Sequence, residues 1–296
     1  MSDLSPMPEE MHGAAVEGET VAEGPRKPRL AIMGEFSAGK STLSNLLLGA
    51  RPLPERVTAT RLSPVWLSHG TASPVAVSID GTETPIAIED FDQLDVDRTR
   101  HVSMSLESPI LEHCDLIDFP GISDPNMDSE VWERMLPEVD LVLWCTHATQ
   151  AWRQSEAAAW ELVTEKVRAR SMLLVTRFDK LVTERDRARV LARVTAETEG
   201  LFAGIYPLSL LDALKATEAE DAEGWDKSGA RRFASDLHVA LAAFDPSIPV
   251  PSAAQEDAAP ASDPAQDTSG AASLVRRIIP RRVRPSGRSA RPRPDT

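Results

Sequence analysis

The densest chemistry in this 296-residue chain lies in GEFSAGKST, residues 34–42. Gly34, Gly39, Lys40 and Ser41 fit G-x-x-x-x-G-K-[ST], between the apolar run RLAIM (29–33) and a helical pattern that stops at Gly49. Glycines at these positions let the backbone wrap closely around phosphate oxygens, with N–H groups turned inward at the positive end of a helix dipole. Gly34, Glu35, Phe36, Ser37, Ala38, Gly39, Lys40, Ser41 and Thr42 together form a candidate nucleotide cradle. In it Lys40 supplies a point charge to the β- and γ-phosphates, and the Ser41 hydroxyl is a ligand for Mg2+.

A phosphate loop does not choose its base. The strand-like run SMLLVT (171–176) ends in TRFD, which places Thr176, Arg177 and Asp179 at its tip. A carboxylate there accepts from both N–H groups on the Watson–Crick edge of guanine, whereas adenine offers no matching donor pair. Arg177 brings a flat guanidinium that can cover the base. Between the two motifs lies DFPG, Asp118 to Gly121, at the end of CDLIDF. In that position an Asp holds Mg2+ through water, and the glycine N–H senses the γ-phosphate.

These motifs need elements to hold them. Strand-like runs recur at 29–33, 63–68, 74–79, 101–107, 114–119, 140–145, 171–176 and 203–209, with helical patterns at 40–48, 128–136, 152–169, 182–199 and 228–244. Such alternation predicts an α/β fold with a mostly parallel central sheet. SPVWLS and PVAVSIDGTETPIAI have no helix between them, and Asp80-Gly81 is a hairpin turn, so an antiparallel edge is expected there.

At 42 % hydrophobic, the chain can bury one substantial core, and its ends narrow where that core lies. Residues 1–27 are acidic with no apolar periodicity, and 246–272 are rich in Pro, Ala, Ser and Asp. Both compositions predict disorder, leaving one domain at 28–245. The tail 273–296, also expected to be disordered, carries eight Arg and one Asp, a net +7, so the remainder carries -14 - 7 = -21. An acidic body argues against nucleic acid as a partner of its face and leaves an anionic membrane surface, or an acidic protein, to the tail.

Cys114 and Cys145 sit in apolar runs outside any CxxC pair and read as buried reduced thiols. They point to a cytoplasmic protein, at most peripheral to a membrane. The acidic N-terminus is unlike a signal peptide, and no apolar run reaches the length of a membrane span.

GEFSAGKST, followed by DFPG and TRFD, resembles the GTPase domain of the dynamin superfamily, especially bacterial dynamin-like proteins, over about residues 28–245. The resemblance implies a three-layer P-loop GTPase fold, GTP and GDP as ligands with Mg2+, and hydrolysis of GTP to GDP and phosphate. It implies Lys40, Ser37 and Thr60 as catalytic residues, and Ser41, Thr60 and Asp118 around the metal. Thr58 also lies in the VTATRL segment, but Thr60 matches the family pattern better. Ser209, in YPLSL, falls in the base-side loop.

Two departures accompany the likeness. Phe36 and Ile122 stand where relatives carry water-orienting glutamines, which implies slow intrinsic turnover or a nucleotide-dependent scaffold. Residues 246–296 are too short for the family's helical stalk, so the reading expects a transient homodimer through the GTPase face and a partner protein supplying the stalk. His147, Gln150, Trp152 and Arg153 are candidates for that face, although Trp152 and Trp160 equally suit a core.

Overall fold

The computed structural model describes residues 26–49, 63–122, 129–245 and Ile248. The loop with Thr58 and Thr60 and the Arg-rich tail lie outside the described residues, as do the acidic segment before Arg26 and, Ile248 apart, the linker.

Nine strands form one sheet: β1 (Arg29–Gly34), β2 (Val65–His69), β3 (Val75–Ser78), β4 (Glu83–Pro85), β5 (Thr99–Leu106), β6 (Asp115–Asp118), β7 (Leu141–His147), β8 (Met172–Thr176) and β9 (Gly204–Pro207), in the order β4-β3-β5-β2-β6-β1-β7-β8-β9. The block β6-β1-β7-β8-β9 is parallel throughout. Its central strands are apolar on both faces, as strands covered on both sides must be. Along β1, Leu30 and Ile32 face one core while Ala31 and Met33 face the other.

The expected antiparallel edge is present with a different pairing. Asp80-Gly81 closes a hairpin between β3 and β4, but β2 does not join it. β5 lies between them, antiparallel to β3 and parallel to β2, and β2 then runs antiparallel to β6. The edge strand β4 is exposed, and its shortness, Glu83 and Pro85 discourage further strand pairing.

Helices cover both faces. α1 (Lys40–Leu48) stops as its sequence predicts, at a left-handed Gly49 whose N–H returns to the Asn45 carbonyl. α2 (Glu130–Glu133) is one turn long and is followed by a 3-10 turn at Leu136–Glu138, where Pro137 interrupts it. The expected helix at 152–169 is two pieces, α3 (Gln154–Trp160) and α4 (Glu165–Arg168). Trp152 cannot begin it because its φ is +58°, and Thr164 starts a new turn by accepting from Val167 and Arg168.

α5 (Glu184–Glu197) and α8 (Ala230–Ala242) fall where the sequence places them. α6 (Leu210–Glu218) and α7 (Ala222–Lys227) were not expected. One core contains Leu43, Leu174, Leu210, Phe233 and Leu237. The other is built around Trp144, Trp152 and Trp160 with Val194, so both uncertain tryptophans are core residues. Both cysteines are buried free thiols, and burial pushes each up to about 12.

The body extends slightly beyond residues 28–245. Arg26 pairs with Asp140, Lys27 donates to the Leu111 carbonyl, and Ile248 is buried in the core.

Candidate functional site

The carboxyl ends of β1, β6, β7 and β8 meet at one rim of the sheet, the place where open α/β sheets bind ligands. β1 ends at Gly34, opposite Cys145 of β7. A Cβ on Gly34 would lie 2.1 Å from the Cys145 carbonyl oxygen, so only glycine lets the chain leave the sheet there. The loop then turns through Ser37 at φ +59° and Gly39 at φ +93° into α1.

Lys40, 8 % exposed, folds back to donate to the Gly34 carbonyl at 3.0 Å and the Glu35 carbonyl at 2.8 Å. Burial lowers its pKa, and the nearby carboxylates, Asp118 first and then Glu35, oppose that shift. An incoming anion would favour the charged ammonium further. Ser41 and Thr42, half-buried, follow in the first turn of α1.

The other two motifs reach the same loop. Asp118 ends β6, where burial raises its carboxyl to about 6 against the pull of the Lys40 ammonium. Gly121 presses on the Phe36 backbone, so an added Cβ would lie 2.8 Å from the Phe36 Cα, and the next amide, Ile122, donates to the Gly34 carbonyl at 3.2 Å. From the tip of β8 the Thr176 hydroxyl donates to the Ala38 carbonyl at 2.6 Å, and Arg177 Nη2 donates to the Ser37 carbonyl at 2.8 Å. Arg177 is itself left-handed, at φ +52°. Two motifs far along the sequence therefore converge on the loop that the first motif forms.

Asp179 lies in the following 3-10 turn, Phe178–Lys180, with Lys180 3.5 Å away. Ser209 precedes α6, and the side chain of its neighbour Leu210 packs under Gly39. Thr60 is outside the described residues. Ser41 and Asp118 are hard oxygen donors of the kind Mg2+ takes, and an ion held there keeps room for water and phosphate oxygens.

The sequence reading missed a second set of contacts on this rim. The Glu35 carboxylate accepts from Arg153 Nη1 at 2.9 Å and from the Ser155 hydroxyl. Behind it, buried Glu156 accepts from Trp144 Nε1, the Thr146 hydroxyl and the Arg153 N–H. Desolvation raises the Glu156 pKa, while these three donors pull it down. The sequence offered only half a signal, Glu156 at the third helical position reaching back to the Arg153 N–H, because the Arg153 side chain has no acceptor to complete a capping box. His147 lies beside Arg177 and Arg153, and burial first, then those two charges, lower its pKa. Of the proposed interface residues, Trp152 is buried while Arg153 stays half-exposed on Glu35.

A parallel sheet whose first strand feeds this loop and helix defines an α/β phosphate-loop domain of the GTPase type. Residues 30–178, half of the chain, match the model of the dynamin family, and the chain belongs to that family. It is 27 % identical over 205 residues to dynamin-like protein 2 of Campylobacter jejuni, covering 67 % of this chain and 32 % of that protein. It is also 24 % identical over 192 residues to a probable transmembrane GTPase, FZO-like and chloroplastic, of Arabidopsis thaliana, covering 63 % of this chain and 19 % of that protein. This chain thus spans a third or less of these relatives' length. Among solved structures, a chain of an oligomerised bacterial dynamin pair described as sensing and tethering membranes superposes with a TM-score of 0.51 at 20 % identity, covering 74 % of this chain and 36 % of that one. At that identity the likeness bears on the fold.

Proposed function

We propose that this protein binds GTP with Mg2+ at the 34–42 loop and hydrolyses it to GDP and phosphate. The observation that carries the reading is the convergence of DFPG and TRFD on the phosphate loop through the Ile122 amide, the Thr176 hydroxyl and the Arg177 guanidinium. Lys40 moves from the two loop carbonyls to the β- and γ-phosphate oxygens, and the loop amides hold the α- and β-phosphates. Ser37, at the left-handed turn, helps position the γ-phosphate. Ser41, Thr60 and Asp118 would hold Mg2+, which would supply positive charge to offset the negative charge developing on the phosphates. Asp179 reads guanine, Arg177 covers the base, and Ser209 borders it from the other side.

Two GTPase faces then meet across bound nucleotide and complete the site. The Arg-rich tail holds the protein at an anionic membrane surface, in keeping with the membrane tethering described for the structural neighbour. Among the described residues no helix is long and apolar enough to cross a membrane. The test is GTP hydrolysis measured over roughly a hundredfold range of protein concentration, with ATP and Lys40→Ala as controls. A rate per molecule that climbs with concentration supports the reading. A flat rate at background would replace it with a second one, a nucleotide-dependent scaffold. That alternative is favoured by Phe36, 60 % exposed on the loop, and by Ile122, whose side chains cannot hydrogen-bond an attacking water.

A further inference from the structure

A carboxylate on the loop that must receive a triphosphate is electrostatically adverse unless something cancels it. Glu35 is such a carboxylate. Its side chain is 12 % exposed, and Arg153 and Ser155 both grip it. Exposed ion pairs contribute little to stability, which by itself does not account for the structure that presents Arg153.

That structure is elaborate. The residue before Arg153, Trp152, is held at φ +58°, a left-handed conformation that is strained for a non-glycine residue. Its N–H is bound to the Thr146 hydroxyl at 2.9 Å, and its ring packs edge-on against Trp144 and Phe202. The Arg153 N–H is fixed on Glu156 at 2.9 Å. The Thr176 hydroxyl, whose single proton goes to the Ala38 carbonyl of the phosphate loop at 2.6 Å, also lies 3.1 Å from the Thr146 carbonyl near the end of β7. The loop is thus tied at Glu35 to the turn after β7 and at Ala38 to the neighbouring tip of β8.

We propose that Arg153 is a positioning residue of the nucleotide site: it cancels the Glu35 charge beside the phosphates and locks the strained turn after β7 to the phosphate loop. The proposal rests on the GTP reading above. It makes nucleotide affinity depend on residues 152–156, which the motifs do not include, and makes that dependence greater for GTP than for GDP, because GTP carries more negative charge. It also places the turn on the rim proposed to meet a second head, so an approaching partner would act on the nucleotide through Arg153.

The experiment is an equilibrium titration of the full chain with fluorescent GTP and GDP analogues in Mg2+, on wild type, Arg153→Gln, Arg153→Lys, Glu35→Gln, the Glu35→Gln/Arg153→Gln double variant, and Lys40→Ala. Arg153→Gln is expected to weaken GTP binding by about fivefold and GDP binding by less, with Arg153→Lys recovering most of the loss. Glu35→Gln should bind GTP more tightly than wild type, and the Glu35→Gln/Arg153→Gln double variant, in which the pair is again neutral, should bind within about twofold of wild type.

Unchanged affinity in Arg153→Gln, or a double variant as weak as Arg153→Gln, overturns the proposal. If Arg153→Gln loses its circular dichroism signal, Glu35→Gln decides, and weaker binding by it is the contrary result. Wild type that binds neither nucleotide, or a Lys40→Ala variant that binds as wild type does, overturns the GTP reading itself and this proposal with it. Lys40-dependent GTP binding with an indifferent Arg153 removes this proposal alone.

Discussion

Glycine, lysine and carboxylate positions carry the consequences that single substitutions can test. Gly34→Ala would drive a Cβ into the Cys145 carbonyl, with backbone on both sides and little room to relax. The expected cost is ~3 kcal/mol or more, read as a fall in urea midpoint, with loss of nucleotide binding in whatever remains folded. A variant as stable as wild type would mean that β1 leaves the sheet differently. Asp179→Asn exchanges one acceptor for a donor facing the guanine N–H groups, so GTP affinity should fall at least about tenfold while circular dichroism is unchanged. Equal affinity would remove Asp179 from base recognition. At this scale the sequence was informative about the loop, because glycine, lysine and hydroxyl spacing is itself the chemistry. It was silent about Glu35, whose meaning depends on Arg153 and Ser155, more than a hundred residues away.

Elements were legible in proportion to how local their causes are. α1 and α5 follow from periodicity and end signals in their own residues, and β1, β7 and β8 from apolar runs long enough to cross the sheet. The pairing of β2 was not legible, since nothing in VWLSH says that β5, thirty residues later, will lie beside it. α6 and α7 were hidden by a run rich in acids and alanine, in which Asp221 caps α7 by accepting from Glu223 and Gly224. The break before α3 depended on Trp152 taking a left-handed conformation, which no local rule assigns to tryptophan.

β5 and β2 also carry a stability prediction. His101 packs on Trp66 with ring centroids 5.4 Å apart, and burial, then the Arg100 charge, hold its pKa down at about 4, with Glu138 opposing. Unfolded chains bind that proton near 6.5, so the unfolded state holds more protons between these values and stability rises with pH across that window. The contribution is present above about 6.5 and lost as pH falls toward about 4. His101→Phe keeps the ring contact and should flatten the pH dependence of thermal stability between those limits. A slope identical to wild type would show that other groups set it.

The whole molecule divides its charge, with a net +7 in residues 273–296 against -21 in the remainder. If the tail is the membrane contact, binding to vesicles rich in anionic lipid should weaken steeply as salt is added and vanish when residues 273–296 are removed, since each Arg near such a surface contributes about 1 kcal/mol. Retention of vesicle binding by the shortened chain would move the contact to the body. All of these roles presuppose that the 34–42 loop takes GTP. Calorimetric titration of wild type and Lys40→Ala with GTP and with ATP, both in Mg2+, tests this most directly. Expected is GTP binding that Lys40→Ala weakens by about a hundredfold, with ATP weaker than GTP by a similar factor. Equal affinity for the two nucleotides, or no binding heat with GTP, would contradict it.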